Sequence, residues 1–550
     1  MRTTFLAFLI SATAATGWAQ TSGSNLRLTV DDAVKLALER NTDLKADRLD
    51  PQIGDTRVAA AAGVFRPSLT SGVNRNNQLQ PPSSFLIPTP TRTDAVTSSA
   101  GFGQNLPWFG TSYNLSWNAV HTDSNSFLTS YNPLLQSGLS VNVSQPLVRN
   151  LFIDTARQQL ATASVNREIA DSSLRESIVR TTANVKSAYW GLVAAISNVE
   201  ARQSAVDLAQ ELVRVNKAKV DVGQSPPLDL VSAQAEVASN EEQLIIAQTA
   251  VHQAEDLLRV LIFDPTDADS WKVSLEPIDP PPLVTESPDL DRAVSRALAE
   301  RADLDRARKD IKNADTNVKY ASNQKLPDVR LNASYQASGL GGTQVLRTGG
   351  FPGTIVGGGP ITDFGSVLNQ LLGSDYPTWA FGVSVTYPIG HSVEDANYAR
   401  ATLERQRANE RLKSNEGRAI AQVRNAGWKI EMNAKRIQTT RAARELAEQR
   451  LDVERKRFDA GLSTSFFVIQ AQRDLAQAKA NELGAILAYD LALVDFEQLQ
   501  QAGPANQSGG STASSGSPAT ATPAATPTPA AAAAVTTPRP AGVTIPGGGF

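Results

Sequence analysis

The sequence predicts a mixed fold of transmembrane β-strands and very long coiled-coil α-helices, built by duplicating one unit. Three observations predict it. An offset of 260 residues superposes Asp31-Asp32-Ala33-Val34 on Asp291-Arg292-Ala293-Val294, Ala37-Leu38 on Ala297-Leu298 and Asp43-Leu44 on Asp303-Leu304. An offset of 238 superposes Gly223-Gln224-Ser225 on Gly461-Leu462-Ser463 and Ala233-Gln234 on Ala471-Gln472. Two matches in the same order mark an internal repeat. Next, Ile178, Val185, Leu192, Val199, Val206, Val213 and Val220 recur at every seventh position, the period of a coiled-coil seam. Finally, short segments alternate apolar with small polar residues, as the strands of a membrane barrel do.

The elements follow in order. Residues 1–19 read as a signal peptide: Arg2 supplies the basic start, Phe5 to Ile10 the apolar stretch, and Gly17-Trp18-Ala19 the cleavage region. Such a segment is too short to cross about 30 Å of hydrocarbon as a helix. Residues 20–263 form the first repeat: a helix near 31–65, a β region, a long helix from Asp154 to Val222, and a return helix near 228–263. That long helix holds about 69 residues and spans roughly 100 Å. Residues 264–288 read as a linker, and 289–502 as the second repeat. Its long helix from Ser392 to Ala460 again holds about 69 residues, with Val423, Ile430 and Ile437 at heptad spacing. Gly223 and Gly461 stand where a left-handed helix cap is expected. Residues 503–550 are mostly Pro, Ala, Ser, Thr and Gly with the single charge Arg539, a composition unable to offset ordering entropy, and are expected to be disordered.

The β segments carry the membrane argument. Val329, Leu331, Ala333 and Tyr335 alternate with polar residues, as do Phe381, Val383, Val385 and Tyr387, Leu139, Val141 and Val143, and the stretch from Leu69 to Val73. Trp117, Trp379 and Tyr387 suit interface girdles. A soluble antiparallel coiled-coil bundle shares the helix periodicity but would lack these strands. Four strands cannot close a barrel, since the smallest have about eight, and open edges in lipid cost several kcal/mol per unpaired group. The chain is therefore expected to oligomerise, three copies giving twelve strands. A further alternating segment (Tyr113, Leu115, Trp117, Ala119) marks an extra hairpin near 98–120, able to join the barrel or to fold over its surface. The Gly-rich stretch from Leu340 to Tyr376 reads as an external loop.

Composition excludes most chemistry. The 550 residues contain no cysteine, so disulfides, thiol catalysis and cysteine metal sites are absent, and only three histidines, His121, His252 and His391. No catalytic grouping, metal spacing or phosphate loop emerges, so no enzyme activity, cofactor or metal is expected. A net charge of -3 argues against nucleic acid as a partner.

Taken together, the paired Asp-Ala-Val-x-x-Ala-Leu-like starts, Val141-Asn142-Val143-Ser144-Gln145-Pro146-Leu147 ahead of the first long helix, and Phe458-Asp459-Ala460-Gly461-Leu462-Ser463 with Ala471-Gln472 beyond resemble the TolC family of outer-membrane efflux proteins, over residues 25–502. The resemblance implies a homotrimer: a β-barrel in outer-membrane lipid continuing into an α-helical periplasmic tunnel. It implies an exit duct for small-molecule efflux, working with a periplasmic adaptor (membrane fusion) protein and an inner-membrane transporter. Type I protein secretion is the alternative cargo route, and a periplasmic coiled-coil structural or adaptor protein the alternative class. It implies adaptor-docking tips at Val222, Gly223, Gln224 and Ser225 and at Ala460, Gly461, Leu462, Ser463 and Thr464. The family's acidic aperture ring is replaced here by Phe467 and Gln470, with Asp474 a heptad deeper and Asp229 keeping the carboxylate in the first half. Phe467, Gln470 and Asp474 share one helix face.

Overall fold

The computed structural model describes residues 25–82, 89–126, 128–281, 288–350, 353–387, 389–390 and 392–504. The predicted signal peptide and nearly all of the predicted disordered tail lie outside the described residues. The chain begins with β1 (Asn25–Leu28), α1 (Val30–Arg40), α2 (Thr42–Asp47) and α3 (Leu49–Gly63), and then runs through β2 (Ser68–Gln80), β3 (Thr91–Asn105), β4 (Ser112–Ser124) and β5 (Tyr131–Pro146). Next come α4 (Thr155–Asp221), α5 (Pro227–Ile262) and β6 (Ser274–Pro277). The second half holds α6 (Leu290–Glu300), α7 (Ala302–Gln324), β7 (Asp328–Thr348), β8 (Thr354–Thr362), α8 (Phe364–Gly373), β9 (Tyr376–Thr386), α9 (Val393–Asp459) and α10 (Ser465–Gln501).

The duplication is visible in the element boundaries. Helices α4 and α9 are both 67 residues long, and both their ends obey the offset of 238. Helices α1 and α6 obey the offset of 260. Asp154 caps α4 by accepting from Arg157 N, and Ser392 with Asp395 forms a full capping box on α9, which satisfies first-turn donors. Both long helices end in a Schellman motif. Gly223 N donates to Val220 O (2.9 Å) and Gln224 N to Lys219 O (2.8 Å). Gly461 N donates to Phe458 O (3.2 Å) and Leu462 N to Arg457 O (2.8 Å). The two glycines hold φ of 75° and 74°, a conformation costly for any residue with a Cβ.

The heptad residues of α4 are buried or half-buried. Val185 and Leu192 join Leu258 and Ile262 of α5 and Ala33 and Ala37 of α1 in one cluster, each large side chain contributing about 2 kcal/mol of apolar burial. Near the glycine turns, Leu212 packs with Leu451, Phe458, Val468 and Leu475. Tyr189 on α4 donates to Leu28 O and accepts from Ile278 N and Asp279 N. It thereby fastens the parallel ribbon of β1 and β6; β6 lies within residues 264–288, which the sequence reads as a linker.

Three expectations change. The flanking helix near 31–65 is broken: Asn41 ends α1 and its Oδ1 accepts from Leu44 N at 2.9 Å, a local bond that competes with helix continuation. Its repeat counterpart Arg301 breaks the second half, where the buried guanidinium is held by Asp303 and Gln422. The stretch from Leu340 to Tyr376 is not a loop. There β7 runs on to Thr348 and pairs with β8, and α8 buries Val367 against Gly339 and Gly341, glycines that admit this close approach. Lastly, four strands per chain is too few. The sheet order is β2-β3-β4-β5-β7-β8, with β9 on β7 beside β8, so six long antiparallel strands lie side by side. The extra hairpin (β3 and β4) is part of the sheet.

Its turn is seated on the strand-to-helix junction. Gln145 Nε2 donates to Phe109 O at 2.9 Å, and Gly110, at φ 65°, lies where a Cβ would come within 2.6 Å of Asn150 O. Arg157, whose guanidinium also binds Leu151 O, Phe152 O and Asn150 O, closes the same corner.

Candidate functional site

Residues directly opposite in an antiparallel sheet point to the same face, so the registers sort the side chains. One row reads Leu69, Phe102, Leu115, Val141, Tyr335 and Trp379 across six strands. The adjacent row, on the other face, reads Ser68, Gly103, Asn114, Asn142, Ser334 and Ala380. One face is therefore broadly apolar and suited to lipid, and the other is small, polar and largely uncharged. Hydrogen bonds knit the polar face: Ser116 Oγ to Ser140 Oγ at 2.6 Å, Ser144 Oγ to Asn332 Oδ1 at 2.9 Å, and Asn332 Nδ2 to Ser384 Oγ at 3.4 Å. The polar residues of this face line a concave trough. Trp117 sits mid-strand instead of at a girdle, its indole N–H donating to Ser137 Oγ at 2.9 Å.

At the far end of α4 and α9, the tip residues Val222, Gly223, Gln224, Ala460, Gly461, Leu462 and Thr464 are exposed, and Ser225 and Ser463 are half-buried. Ser463 Oγ donates to Glu454. Just beyond, Phe467 is 53% exposed and stacks edge-on against Phe466 at 5.6 Å between ring centroids. Gln470 Nε2 donates to Asp474 Oδ1 at 2.9 Å, as their shared helix face requires, and Arg450 of α9 donates to Asp474 Oδ2 at 2.8 Å. Asp229 lies half-buried in the first turn of α5, where its backbone carbonyl accepts from Asn216 Nδ2.

Sequence reasoning missed the side chains that join the two halves near these tips. Lys219 Nζ donates to Phe458 O at 2.7 Å and lies 3.5 Å from the centroid of the Phe458 ring, a cation–π contact. Gln472 Nε2 donates to Leu208 O at 3.0 Å. Arg473 of α10 donates to Glu236 of α5 at 2.6 Å, and this bond raises the arginine pKa. Glu236 is the repeat counterpart of Asp474, which was the only sequence signal available for it.

No helix among the described residues is long and apolar enough to cross a membrane, and no group of metal-ligating side chains occurs among them. A sheet with one apolar and one polar face, continuous with 67-residue helices, is the build of an outer-membrane channel with a helical tunnel. The model of the outer membrane efflux protein family matches residues 103–262 and 293–500, so the chain belongs to that family. It is an outer-membrane efflux protein and not an enzyme. The fold is similar to that of several solved channels. The outer membrane protein VceC from Vibrio cholerae is 16% identical, with a TM-score of 0.60 over 86% of this chain and 96% of that one. The CmeC channel of Campylobacter jejuni is 15% identical, with a TM-score of 0.59 over 86% and 85%. The MtrE channel of Neisseria gonorrhoeae is 20% identical, with a TM-score of 0.55 over 86% and 89%. Among curated protein sequences the chain has no significant match.

Proposed function

We propose that three copies of this chain assemble into one duct, with the sheets closing a barrel in the outer membrane and the helices forming a periplasmic tunnel. The duct passes small molecules delivered by a periplasmic adaptor and an inner-membrane transporter. The observation that carries this reading is the pair of free sheet edges, β2 and β9, on a face built for lipid. A lone chain would leave their backbone groups unpaired in hydrocarbon. The exposed turns at Val222–Ser225 and Ala460–Thr464, with Leu462 at the summit, form the adaptor-docking tips.

Within the tunnel, Phe467 forms the constriction with Gln470. Asp474 is partly neutralised by Arg450, so the narrow ring is apolar rather than acidic, and Asp229 supplies the carboxylate of the first-half helices. Two measurements test the reading. Cells lacking the chain should retain a fluorescent efflux substrate, and re-expression should restore its loss; unchanged retention contradicts an efflux duct. Phe467→Asp adds one carboxylate per copy and should shift bilayer single-channel currents toward cations by simple charge. Unchanged ion selectivity would remove Phe467 from the aperture.

A further inference from the structure

We propose that the barrel has eighteen strands, closed by β9 of one copy pairing with β2 of the next, and is half as wide again as four strands per chain would allow. The inference rests on the trimeric reading above and adds to it the interface, its register and the bore.

The sheet supplies the argument. Six strands of one chain alternate in direction, so β9 runs opposite to a neighbour's β2 and the two can pair antiparallel. Both are edge strands, exposed along their whole length, with Leu69, Ser71 and Val73 on the same face as Phe381, Val383 and Val385. A one-residue slip would turn one set to the wrong face, so only every second register is open.

Strand tilt narrows the choice further. From Ser68 at the start of β2, the pairing passes through Gly103, Asn114, Asn142 and Ser334 to Ala380, six residues before Thr386 at the end of β9. Pairing Thr386 with Ser68 of the next copy carries this climb around the ring, at one residue per strand. With a rise of about 3.3 Å per residue and about 4.8 Å between strands, that climb gives a tilt of about 35°. Pairing Thr386 with Thr70 gives about 43°, and the next registers on either side give about 25° and about 49°, outside the usual 35–45°. Two registers remain. In the first Ser71 faces Val383; in the second it faces Val385. At about 35° tilt, eighteen strands enclose a backbone diameter of about 34 Å, against about 23 Å for twelve.

The native chain has no cysteine, so paired substitutions give a clean test. Full-length protein carrying Ser71→Cys with Val383→Cys, or Ser71→Cys with Val385→Cys, is treated in membranes with a short thiol cross-linker. One of the two should convert monomer on denaturing gels into covalent dimer and trimer. Failure of both, in particles that native mass spectrometry weighs as trimers, overturns the β2–β9 interface. Ser71→Cys with Ala100→Cys tests the hairpin within a chain, since these positions face each other across β2 and β3. Absence of that internal link in trimers overturns the eighteen-strand barrel while leaving the trimer intact. Particles of any other stoichiometry overturn the trimeric reading instead.

Discussion

The two halves of the chain agree to the residue in their long helices and differ in their strands. Helices α4 and α9 have the same length and the same glycine-ended tips, whereas the first half sends four strands to the sheet. The second sends two long ones, with β8 and α8 added at the end of β7. The difference shows which part of a duplicated fold is constrained. Helix α10 packs against both α4 and α9, so the two long helices must match in length for their tips to meet: Lys219 reaches Phe458, and Gln472 reaches Leu208. Strands in a closed barrel need only keep the alternation of direction and of faces. A hairpin adds two strands and preserves both.

That contrast can be broken most severely by parity. Deleting residues 112–124 removes one strand and leaves an odd number, so outer-membrane assembly should be lost. Deleting 91–124 removes two, and a narrower barrel should still insert. Heat-shifted mobility on denaturing gels, the usual sign of an intact barrel, reports both. Insertion of the odd-numbered variant would show that strand direction does not limit this fold.

A smaller effect probes the joined helices. Glu236 is 5% exposed at its side chain and Arg473 60%, so the two partners are not equivalent. Arg473→Met leaves a buried carboxylate without its cation and should cost about 3 kcal/mol, while Glu236→Gln frees an arginine that reaches water and should cost about 1 kcal/mol. Thermal unfolding in detergent compares them. Equal losses would mean that the pair is solvated in the assembly.

Another effect depends on pH. Asp490 on α10 is 3% exposed and its Oδ1 has no hydrogen-bond partner, and burial raises its pKa from the ordinary 3.8 to about 7. A carboxyl raised on folding stabilises fully below 3.8, and that contribution is lost as pH climbs through about 7. Asp490→Asn should therefore raise stability at pH 8 by up to about 4 kcal/mol and change it little at pH 4. A gain of equal size at both pH values would deny that ionisation is the cause.

How much of this was legible in the sequence follows from what periodicity can register. The heptad run from Ile178 to Val220 and the offset of 238 located both long helices and both tips, because every turn repeats the same demand for burial. Strand β3 was legible only as the first arm of the hairpin near 98–120, and its start at Thr91 was not. Its lipid-side residues are Asp94, Val96, Ser98, Ala100 and Phe102, too weakly apolar for a period of two to stand out. Strand β8 contains Gly357-Gly358-Gly359 and has almost no side chains to alternate, yet its backbone still pairs with β7. Arg473 and Glu236 lie 237 positions apart, and no local pattern links them.

The central claim is that a shared helical frame carries a barrel enlarged by one hairpin per copy. Electron microscopy of the unmodified protein in lipid nanodiscs tests it most directly, by counting strands around the ring in projection down the axis. The account predicts three copies and eighteen strands. A ring of twelve strands, with β3 and β4 lying outside it, would contradict the account.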